Sequence, residues 1–525
     1  MPHVLVGLGG LLSDPAVCVI KDGRLAAAIE QAKVSRQERL GTFPEEAFAL
    51  ALQMAQLDAA QVGCVAVARP FTAGPESVAQ LALRARFPQS EIVVVEHHHA
   101  HAASAYYLSG FDESAVLSVD RAGDFRSAVL FRAIGNELAT VREMYFPDSL
   151  GDLYNRITAL LGFEPRADEH KVQWLSAAGE PKFSEVMDKM LHASGLGWPK
   201  LDRSYFDPDH TIRGGFSAKF YTETGLPPSE PLSPSVKADL ASSIQNAIEQ
   251  TVISIVSPAQ NVCIAGGLAL NALLVRALEQ RFTNIFVQPV AGNAGTALGA
   301  VLYAWHNFYR QSDRVPFETL CLGPSYSAEQ IKKVVENCKL RFRYLLTENE
   351  RIDLAIRCLN ENKIVAWMQG RMEFGPRALG NRSILASPLN PFSTENLNVY
   401  IKHRESFRKF AASVPEEMAS EYFEAGQNAR FLATVARVRR AYEETFAAAL
   451  LGRGLIRVHT VRKEENPLYH ALLIAAGRAT GLPVLYNTSF NLFGDPLVCT
   501  PRDAVRSFYS SGIDALFAGS FYLEK

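Results

Sequence analysis

Residues 262–271 carry the sequence VCIAGGLALN, and this stretch decides the fold class. The apolar run 262–265 predicts a buried strand, Gly266 and Gly267 predict a tight turn, and the residues from about 269 predict a helix. Glycines let a ligand approach the backbone closely, and the helix N-terminus that follows offers free N–H groups to an anion. A strand, a glycine turn and a helix in this order indicate an α/β protein.

The alternation of strands and helices continues on both sides of this turn. A long amphipathic helix is predicted from about Ser235, and AGNAGTALG at 291–299 predicts a second glycine turn and helix. Further strands are predicted at 4–7, 16–20, 25–29, 92–95, 116–119, 364–367 and 484–486. A long helical stretch is predicted around 425–450, and the proline-rich segment 205–234 is predicted to be a loop.

The chain has 525 residues, which is more than one hydrophobic core usually holds. Proline, glycine and serine cluster near 316–328, so we predict two domains, 1–320 and 321–525. The net charge of −2 argues against a nucleic-acid partner, and no apolar run is long enough to suggest a membrane span. Seven scattered cysteines without a CxxC pair argue against a disulfide framework. A cytoplasmic enzyme that acts on small ligands is the expected class.

A histidine cluster follows the predicted strand at 92–95, in the sequence EHHHAH at 96–101. His97 and His101 are four residues apart, so on a helix both imidazoles would lie on one face and could share a metal ion. Asp120, at the end of the strand 116–119, could present a carboxylate to a metal or a phosphate. The alternative is that the histidines cap the helix and bond to the backbone, and that Asp120 belongs to an ordinary turn.

Three polar segments in the second half combine arginines, asparagines and serines with apolar flanks. They are FGPRALGNRS at 374–383, KHRESFRKF at 402–410 and YNTSFN at 486–491. Arginine forks bind phosphate and carboxylate oxygens, so these segments indicate binding of phosphate-bearing ligands. For the middle segment a solvated helix face is the alternative, and for the last one a polar turn.

Taken with LGDLY at 150–154 and EHK at 169–171, these motifs resemble the carbamoyltransferase family of nodulation-factor and antibiotic biosynthesis, over nearly the whole chain. The resemblance implies an actin-like (ASKHA) N-terminal domain similar to the tRNA threonylcarbamoyl transferases. It implies an α/β C-terminal domain similar to the threonylcarbamoyl-adenylate synthases. The C-terminal domain would make carbamoyl adenylate from carbamoyl phosphate and ATP, with Mg²⁺ accompanying the ATP. The N-terminal domain would pass the carbamoyl group to a small-molecule acceptor in secondary-metabolite biosynthesis; a homodimer is left open.

The resemblance also assigns residues. His97, His101 and Asp120 match ligands of an iron-type divalent metal, and Asn293 stands at a further catalytic position. The transfer-site phosphate loops would contain Asp14, Lys171, Gly266, Gly267 and Asn271. Binding of ATP and carbamoyl phosphate would fall to Arg377, Asn381, Arg382, Ser383, Lys402, Arg404, Arg408, Asn487, Ser489 and Asn491.

The sequence departs from the family pattern at four places. Ser13 replaces a histidine, and Asn293 replaces an aspartate that binds the metal in the family. EHKVQWLS at 169–176 and FRKFAA at 407–412 also differ from the usual motifs. Because three of the four departures fall in the transfer domain, two alternatives stay open beside carbamoyl transfer. One is a related enzyme with a different transfer reaction, and the other is a non-catalytic nucleotide-binding partner subunit.

Overall fold

The computed structural model describes residues 2–37, 40–193, 198–207, 209, 212–492 and 494–525. Its helices in these ranges include none with both the length and the apolar character needed to span a membrane. Two halves follow each other along the chain, and each is built on its own β-sheets.

The N-terminal half contains two five-stranded sheets and a short two-stranded ribbon. Its strands are β1 (Val4–Gly9), β2 (Ala16–Lys21), β3 (Arg24–Glu30), β4 (Cys64–Ala68), β5 (Glu91–Val95), β6 (Glu113–Gly123), β7 (Arg126–Ile134), β8 (Glu137–Tyr145), β9 (Leu191–Ala193), β10 (Pro199–Leu201), β11 (Asn261–Ala265) and β12 (Asn284–Val287). Its helices are α1 (Gln31–Ser35), α2 (Glu45–Ala55), α3 (Glu76–Arg86), α4 (His97–Ser109), α5 (Leu150–Leu160), α6 (Glu169–Ser176), α7 (Ser184–Met190), α8 (Ala218–Thr224), α9 (Pro234–Val256), α10 (Ala272–Arg281) and α11 (Gly295–Tyr303).

The two large sheets share one topology. The first has the order β3-β2-β1-β4-β5 and the second the order β8-β7-β6-β11-β12. In each, the first three strands are antiparallel hairpin neighbours and the last two run parallel to the central strand. This duplicated arrangement is that of actin-like domains, so the prediction for the N-terminal half is confirmed.

The C-terminal half is an α/β unit around one mixed ten-stranded sheet, of order β13-β22-β21-β14-β15-β20-β16-β19-β18-β17. The strands are β13 (Arg343–Tyr344), β14 (Val365–Met368), β15 (Arg382–Ala386), β16 (Ala411–Pro415), β17 (Phe423–Glu424), β18 (Val435–Val438), β19 (Leu455–Val461), β20 (Leu485–Ser489), β21 (Ala515–Ala518) and β22 (Phe521–Glu524). The helices are α12 (Ala328–Asn337), α13 (Glu348–Asn360), α14 (Ser393–Asn396), α15 (Ala419–Tyr422), α16 (Pro467–Thr480) and α17 (Pro501–Tyr509).

Two local predictions are wrong. The stretch 425–450 is not a long helix but contains β18 between short 3₁₀ turns, because β18 pairs with β17 and β19 and this pairing overrides the helical propensity of its alanines. The segment 205–234 is not all loop, since α8 lies within it; residues 208, 210 and 211 of that segment lie outside the described part of the chain. The division between residues 320 and 321 falls between α11 and α12.

The two halves pack closely against each other. Glu30 and Lys33 form a buried ion pair 2.8 Å long in the N-terminal half. Lys33 Nζ donates to the carbonyl of Gly375 at 2.7 Å, and Glu30 Oε1 accepts the N–H of Gly375 at 2.7 Å. Phe374 and Leu379 join the hydrophobic core of the N-terminal sheets. The segment that contains FGPRALGNRS is therefore anchored on both halves of the protein.

Candidate active site

His97, His101 and Asp120 come together as the sequence predicts. The helix α4 begins directly after β5 and carries both histidines, and Asp120 stands near the end of β6. One ligand atom from each residue lies within 4.8 Å of the other two. The ring of His97 fits only because residue 123 is glycine, whose hypothetical Cβ would lie 2.1 Å from that ring. Two imidazole nitrogens and a carboxylate oxygen are ligand types that divalent transition metals accept.

The Nε2 atoms of His97 and His101 both face one oxygen of the Asp120 carboxylate. His97 Nδ1 lies 3.3 Å from the carbonyl oxygen of Arg69, which can only accept, so Nδ1 can donate to it. Nε2 of His97 lies 3.2 Å from Asp120 Oδ2, and Nε2 of His101 lies 3.3 Å from the same oxygen. As hydrogen bonds these contacts need a proton on Nε2, and a divalent cation between the three atoms would take the place of such protons. The donor set therefore fits a divalent metal.

The pKa shifts of His101 and Asp120 agree with metal binding. Burial lowers the pKa of His101 more than the contact with Asp120 raises it, so the imidazole is neutral, as a metal ligand must be. Burial would raise the pKa of Asp120, but the contacts with His101 and His97 hold it well below its usual range. The site thus presents the Asp120 carboxylate beside the neutral imidazole of His101.

Asn293 completes the surroundings of the cluster. Its side chain contacts His101, and its Oδ1 is buried without a hydrogen-bond partner among the residues that the structure describes. Neither ring nitrogen of His101 has a hydrogen-bond partner in those ranges either. A buried polar atom without a partner costs about 1–3 kcal/mol, so these three atoms indicate a place for a ligand.

A cavity of about 690 Å³ opens over this cluster. Turns from both large sheets form its walls. The Gly10 N–H donates to Thr296 Oγ1 at 3.0 Å, and this bond joins the turn after β1 to the start of α11. The described lining includes Ser13, His97, Asp120, Gly267, Asn271, Asn293 and, from the C-terminal half, Arg377. The cavity is therefore formed by both halves of the protein.

The predicted phosphate-loop residues play different parts. Gly267 faces the cavity, whereas Gly266 adopts a φ of +95° and lies against β6, where a Cβ would stand 2.1 Å from the Val119 carbonyl oxygen. Asn271 caps α10 through its Oδ1. Asp14 lies in the turn after β1, where its N–H donates to Gly10 at 2.7 Å. Lys171 forms an ion pair with Asp168 at 3.0 Å within the N-terminal half. It forms a second one with Glu405 of the C-terminal half at 2.7 Å.

The FGPRALGNRS segment is wrapped around the fully buried carboxylate of Glu373. Its Oε1 accepts the backbone N–H groups of Leu379 at 2.8 Å, Asn381 at 2.7 Å and Arg382 at 3.1 Å. Arg382 is also fully buried and donates to the carbonyl oxygens of Gln369, at 2.6 Å, and Pro324, at 3.1 Å. These interactions fix the segment and direct the Arg377 side chain into the cavity.

Glu373→Gln is expected to lower the apparent free energy of unfolding by about 1–3 kcal/mol, because the amide nitrogen would be buried without an acceptor. Any binding of ATP beside Arg377 should weaken in parallel, since the loop that positions Arg377 loses the carboxylate that its backbone N–H groups bind. Urea denaturation and calorimetric titration with ATP measure the two effects. The exposed Glu329→Gln is the matched control, with an expected change below about 0.5 kcal/mol. Equal stability of the two variants would contradict the organising role of Glu373.

The remaining predicted binding residues of the C-terminal half lie on or beside its central strands. Lys402 Nζ donates to Ser489 O at 2.6 Å, Asn491 O at 2.9 Å and Asn491 Oδ1 at 2.8 Å, so its ammonium group ties two segments together. Asn487 Nδ2 donates to Ala378 O at 3.0 Å. Asn381 Nδ2 donates to Arg371 O at 2.7 Å, and Ser383 Oγ accepts the Gly380 N–H at 3.1 Å. Most of these side chains support the walls of the site.

Four arginines form a group that we call the arginine cluster: Arg377, Arg404, Arg408 and Arg457. Burial and the charges of the other three lower the pKa of Arg457 well below its usual range. Burial lowers the pKa of Arg377 to about 10 and that of Arg404 to about 9. Arg408 has Glu405 at 3.8 Å, and that carboxylate also pairs with Lys171. The cluster therefore concentrates more positive charge than its neighbours neutralise, which suits an anion such as a phosphate.

Comparisons with known proteins agree on one family. Models of the carbamoyltransferase N-terminus and C-terminus match residues 74–302 and 356–525. The chain is 32% identical to an uncharacterised protein of Synechocystis sp., covering 100% of this chain and 97% of that protein. It is 30% identical to nodulation protein NolNO of Sinorhizobium fredii, covering 98% and 79%. It belongs to the carbamoyltransferase family. A 3'-hydroxymethylcephem-O-carbamoyltransferase of Amycolatopsis lactamdurans is 31% identical over 50% of this chain and 48% of that enzyme.

The structure of this carbamoyltransferase also shows site residues that the sequence analysis missed. Arg457 lies on β19, and its guanidinium carbon stands 5.1 Å above the ring of Trp174, from the N-terminal half. Its Nε has no hydrogen-bond partner in the described ranges. A lone arginine in an apolar strand was the available signal, because an isolated charge inside a strand indicates a functional position.

Proposed function

We propose that the protein is an ATP-dependent carbamoyltransferase with a carbamoyl-adenylate intermediate. In the first stage carbamoyl phosphate, ATP and one water give carbamoyl adenylate, pyrophosphate and phosphate. In the second stage an acceptor hydroxyl attacks the carbamoyl carbon, and the C–O bond to AMP breaks. The products are the carbamoylated acceptor, AMP and a proton, so atoms and charge balance.

The observation that carries this proposal is the position of Arg377. Its side chain belongs to the arginine cluster and also lines the cavity above His97 and Asp120. The Arg377 guanidinium can therefore contact a phosphate either beside the arginine cluster or in the cavity. An adenylate formed beside the arginine cluster would have its phosphate held while its carbamoyl group turns towards the cavity. Electrostatic stabilisation of phosphate charge is the main catalytic need of such chemistry.

The roles of the side chains follow from their contacts. The arginine cluster would neutralise the phosphates of ATP and carbamoyl phosphate, with Mg²⁺ carried by ATP. The supporting residues would keep the arginines in place and contact the ligands through their free polar atoms; they are Asn381, Arg382, Ser383, Lys402, Asn487, Ser489 and Asn491. Gly267 would place its backbone N–H near the transferred group, and Asn271 lines the same cavity.

His97, His101 and Asp120 would hold an iron-type divalent metal, with Asn293 Oδ1 as a neutral neighbour. Such an ion acts as a Lewis acid that polarises a carbonyl group. His97 and Asp120 line the cavity directly, whereas His101 is fully buried behind them. These residues would therefore set the position at which the carbamoyl carbonyl binds.

The acceptor is proposed to be a small molecule with a hydroxyl group, in natural-product biosynthesis. The name of the Amycolatopsis relative, which states O-carbamoylation of a hydroxymethylcephem, supports a hydroxyl acceptor. Incubation with ATP, carbamoyl phosphate and hydroxylated candidates, followed by mass spectrometry, tests the proposal. The expected result is a carbamoyl mass increment that requires both ATP and carbamoyl phosphate. Pyrophosphate release independent of carbamoyl phosphate would contradict it.

Asn293→Asp is expected to raise the affinity for Fe²⁺ or Zn²⁺ by about tenfold or more, because it adds a negative charge beside His101. The metal would then be a weaker Lewis acid, so carbamoyl transfer should not rise in proportion to occupancy. Chelator competition measures the affinity, and Asn155→Asp is the matched control because it adds the same charge elsewhere on the cavity wall. Equal effects of the two substitutions would show that Asn293 does not belong to the metal site.

A further inference from the structure

His170 lines the cavity and has one ring nitrogen without a hydrogen-bond partner among the described residues. The residue lies in the first turn of α6, and its side chain lines the cavity. Its Nδ1 lies 3.0 Å from the carbonyl oxygen of Ala167, so Nδ1 carries the hydrogen and donates it. Its Nε2 is shielded from solvent and has no hydrogen-bond partner within the described ranges. The ring is therefore held in one tautomer, with a free lone pair on Nε2.

The other basic groups of the cavity wall each have a contact within the protein. His97 and Asp120 belong to the proposed metal site. The carboxylate of Glu169 accepts the backbone N–H of Arg166, and the Tyr154 hydroxyl donates to Gln245 Oε1 at 3.0 Å. Among the described residues that line the cavity, His170 thus offers a neutral nitrogen base that no protein contact occupies.

The charges around His170 keep it neutral before ligands bind. Burial, together with the positive charges of Arg408 and Arg377, lowers the pKa of His170 to about 4, and Asp168 opposes this shift. Binding of an anionic phosphate to those arginines would offset their repulsion. The imidazole would then accept a proton more readily at the stage when the adenylate is present.

We infer that His170 is the general base of the transfer step. Its Nε2 takes the proton of the acceptor hydroxyl while that oxygen forms a bond to the carbamoyl carbon. The C–O bond to AMP breaks, and AMP leaves with the electron pair. The proton on Nε2 then passes to solvent. This inference rests on the proposed carbamoyl transfer, and it assigns a catalytic residue within the same cavity.

The test uses the full-length protein with ATP and carbamoyl phosphate, and with water and glycerol as probe acceptors. His170→Gly should leave carbamoyl-phosphate-dependent pyrophosphate release within about twofold of the wild-type value. Formation of AMP and of carbamoylated glycerol from the adenylate should fall on the order of 100-fold. Added imidazole should restore part of the transfer in this variant. His192→Gly, which changes an exposed histidine, should behave like the wild type.

His170→Gln separates a chemical from a packing role, because glutamine fills the space but cannot take the proton. It should transfer as poorly as His170→Gly. Normal transfer in either variant, or failure of imidazole to restore transfer in His170→Gly, would overturn the role of His170 while leaving the proposed function intact. Absence of carbamoyl-phosphate-dependent pyrophosphate release in the wild type would overturn the proposed function and this inference together.

Discussion

Arg457→Met should lose most of its adenylation activity and yet unfold at a higher temperature than the wild type. Carbamoyl-phosphate-dependent pyrophosphate release is expected to fall on the order of 100-fold, because one preorganised donor to a phosphate disappears. Stability should rise by about 1 kcal/mol, since a desolvated cation next to three other guanidinium groups is removed. Methionine still provides an unbranched stem that can pack against Trp174.

The opposite signs of the two effects make this prediction specific to a binding site. Arg437→Met is the matched control, because Arg437 lies on the neighbouring strand β18 and is exposed. It should change neither quantity appreciably. Pyrophosphate release and thermal unfolding can be measured on the same preparations. A variant Arg457→Met that loses activity and stability together would identify Arg457 as a structural residue.

His101→Ala is expected to bind no stoichiometric divalent metal and to lose carbamoyl transfer by more than about 100-fold. Loss of an outer partner of a metal ligand already costs about 10- to 100-fold, so loss of a ligand should exceed it. Pyrophosphate release should remain, because the arginine cluster is unchanged. Elemental analysis and the transfer assay measure the two outcomes, and Asp120→Asn provides a second variant in case the buried His101 is needed for folding.

His306→Ala is the control for that experiment. His306 is also fully buried, but its Nδ1 lies 2.8 Å from Gln311 O and its ring stacks on Tyr107, 4.1 Å between centroids. Its replacement should lower stability without changing metal content. If the His101 and His306 variants contain equal amounts of metal, the proposed metal site is wrong.

The sequence predicted those features that depend on neighbours along the chain. The strands, the glycine turns and the helix from His97 have clear local patterns, and each appears in the structure. The prediction of a long helix at 425–450 is wrong. The alanines of this stretch favour a helix, but the pairing of β18 with strands on both sides outweighs that local preference. Asn293 was found from a motif, but its buried Oδ1 without a partner became visible only in three dimensions.

By itself the sequence determined the α/β class, the membership implied by FGPRALGNRS and NTSFN, and the candidate metal ligands, because short motifs and periodic patterns encode local geometry. Only the tertiary structure decided that Arg382 and Lys402 are bound to several backbone oxygens. It leaves Arg377 with one such bond, to Leu270 O at 3.2 Å, and it places Arg457 beside the positive charges of three other arginines. An arginine has the same letter in the sequence in either role. The roles differ in the atoms that distant segments of the chain bring to its guanidinium group. That depends on the packing of the two halves.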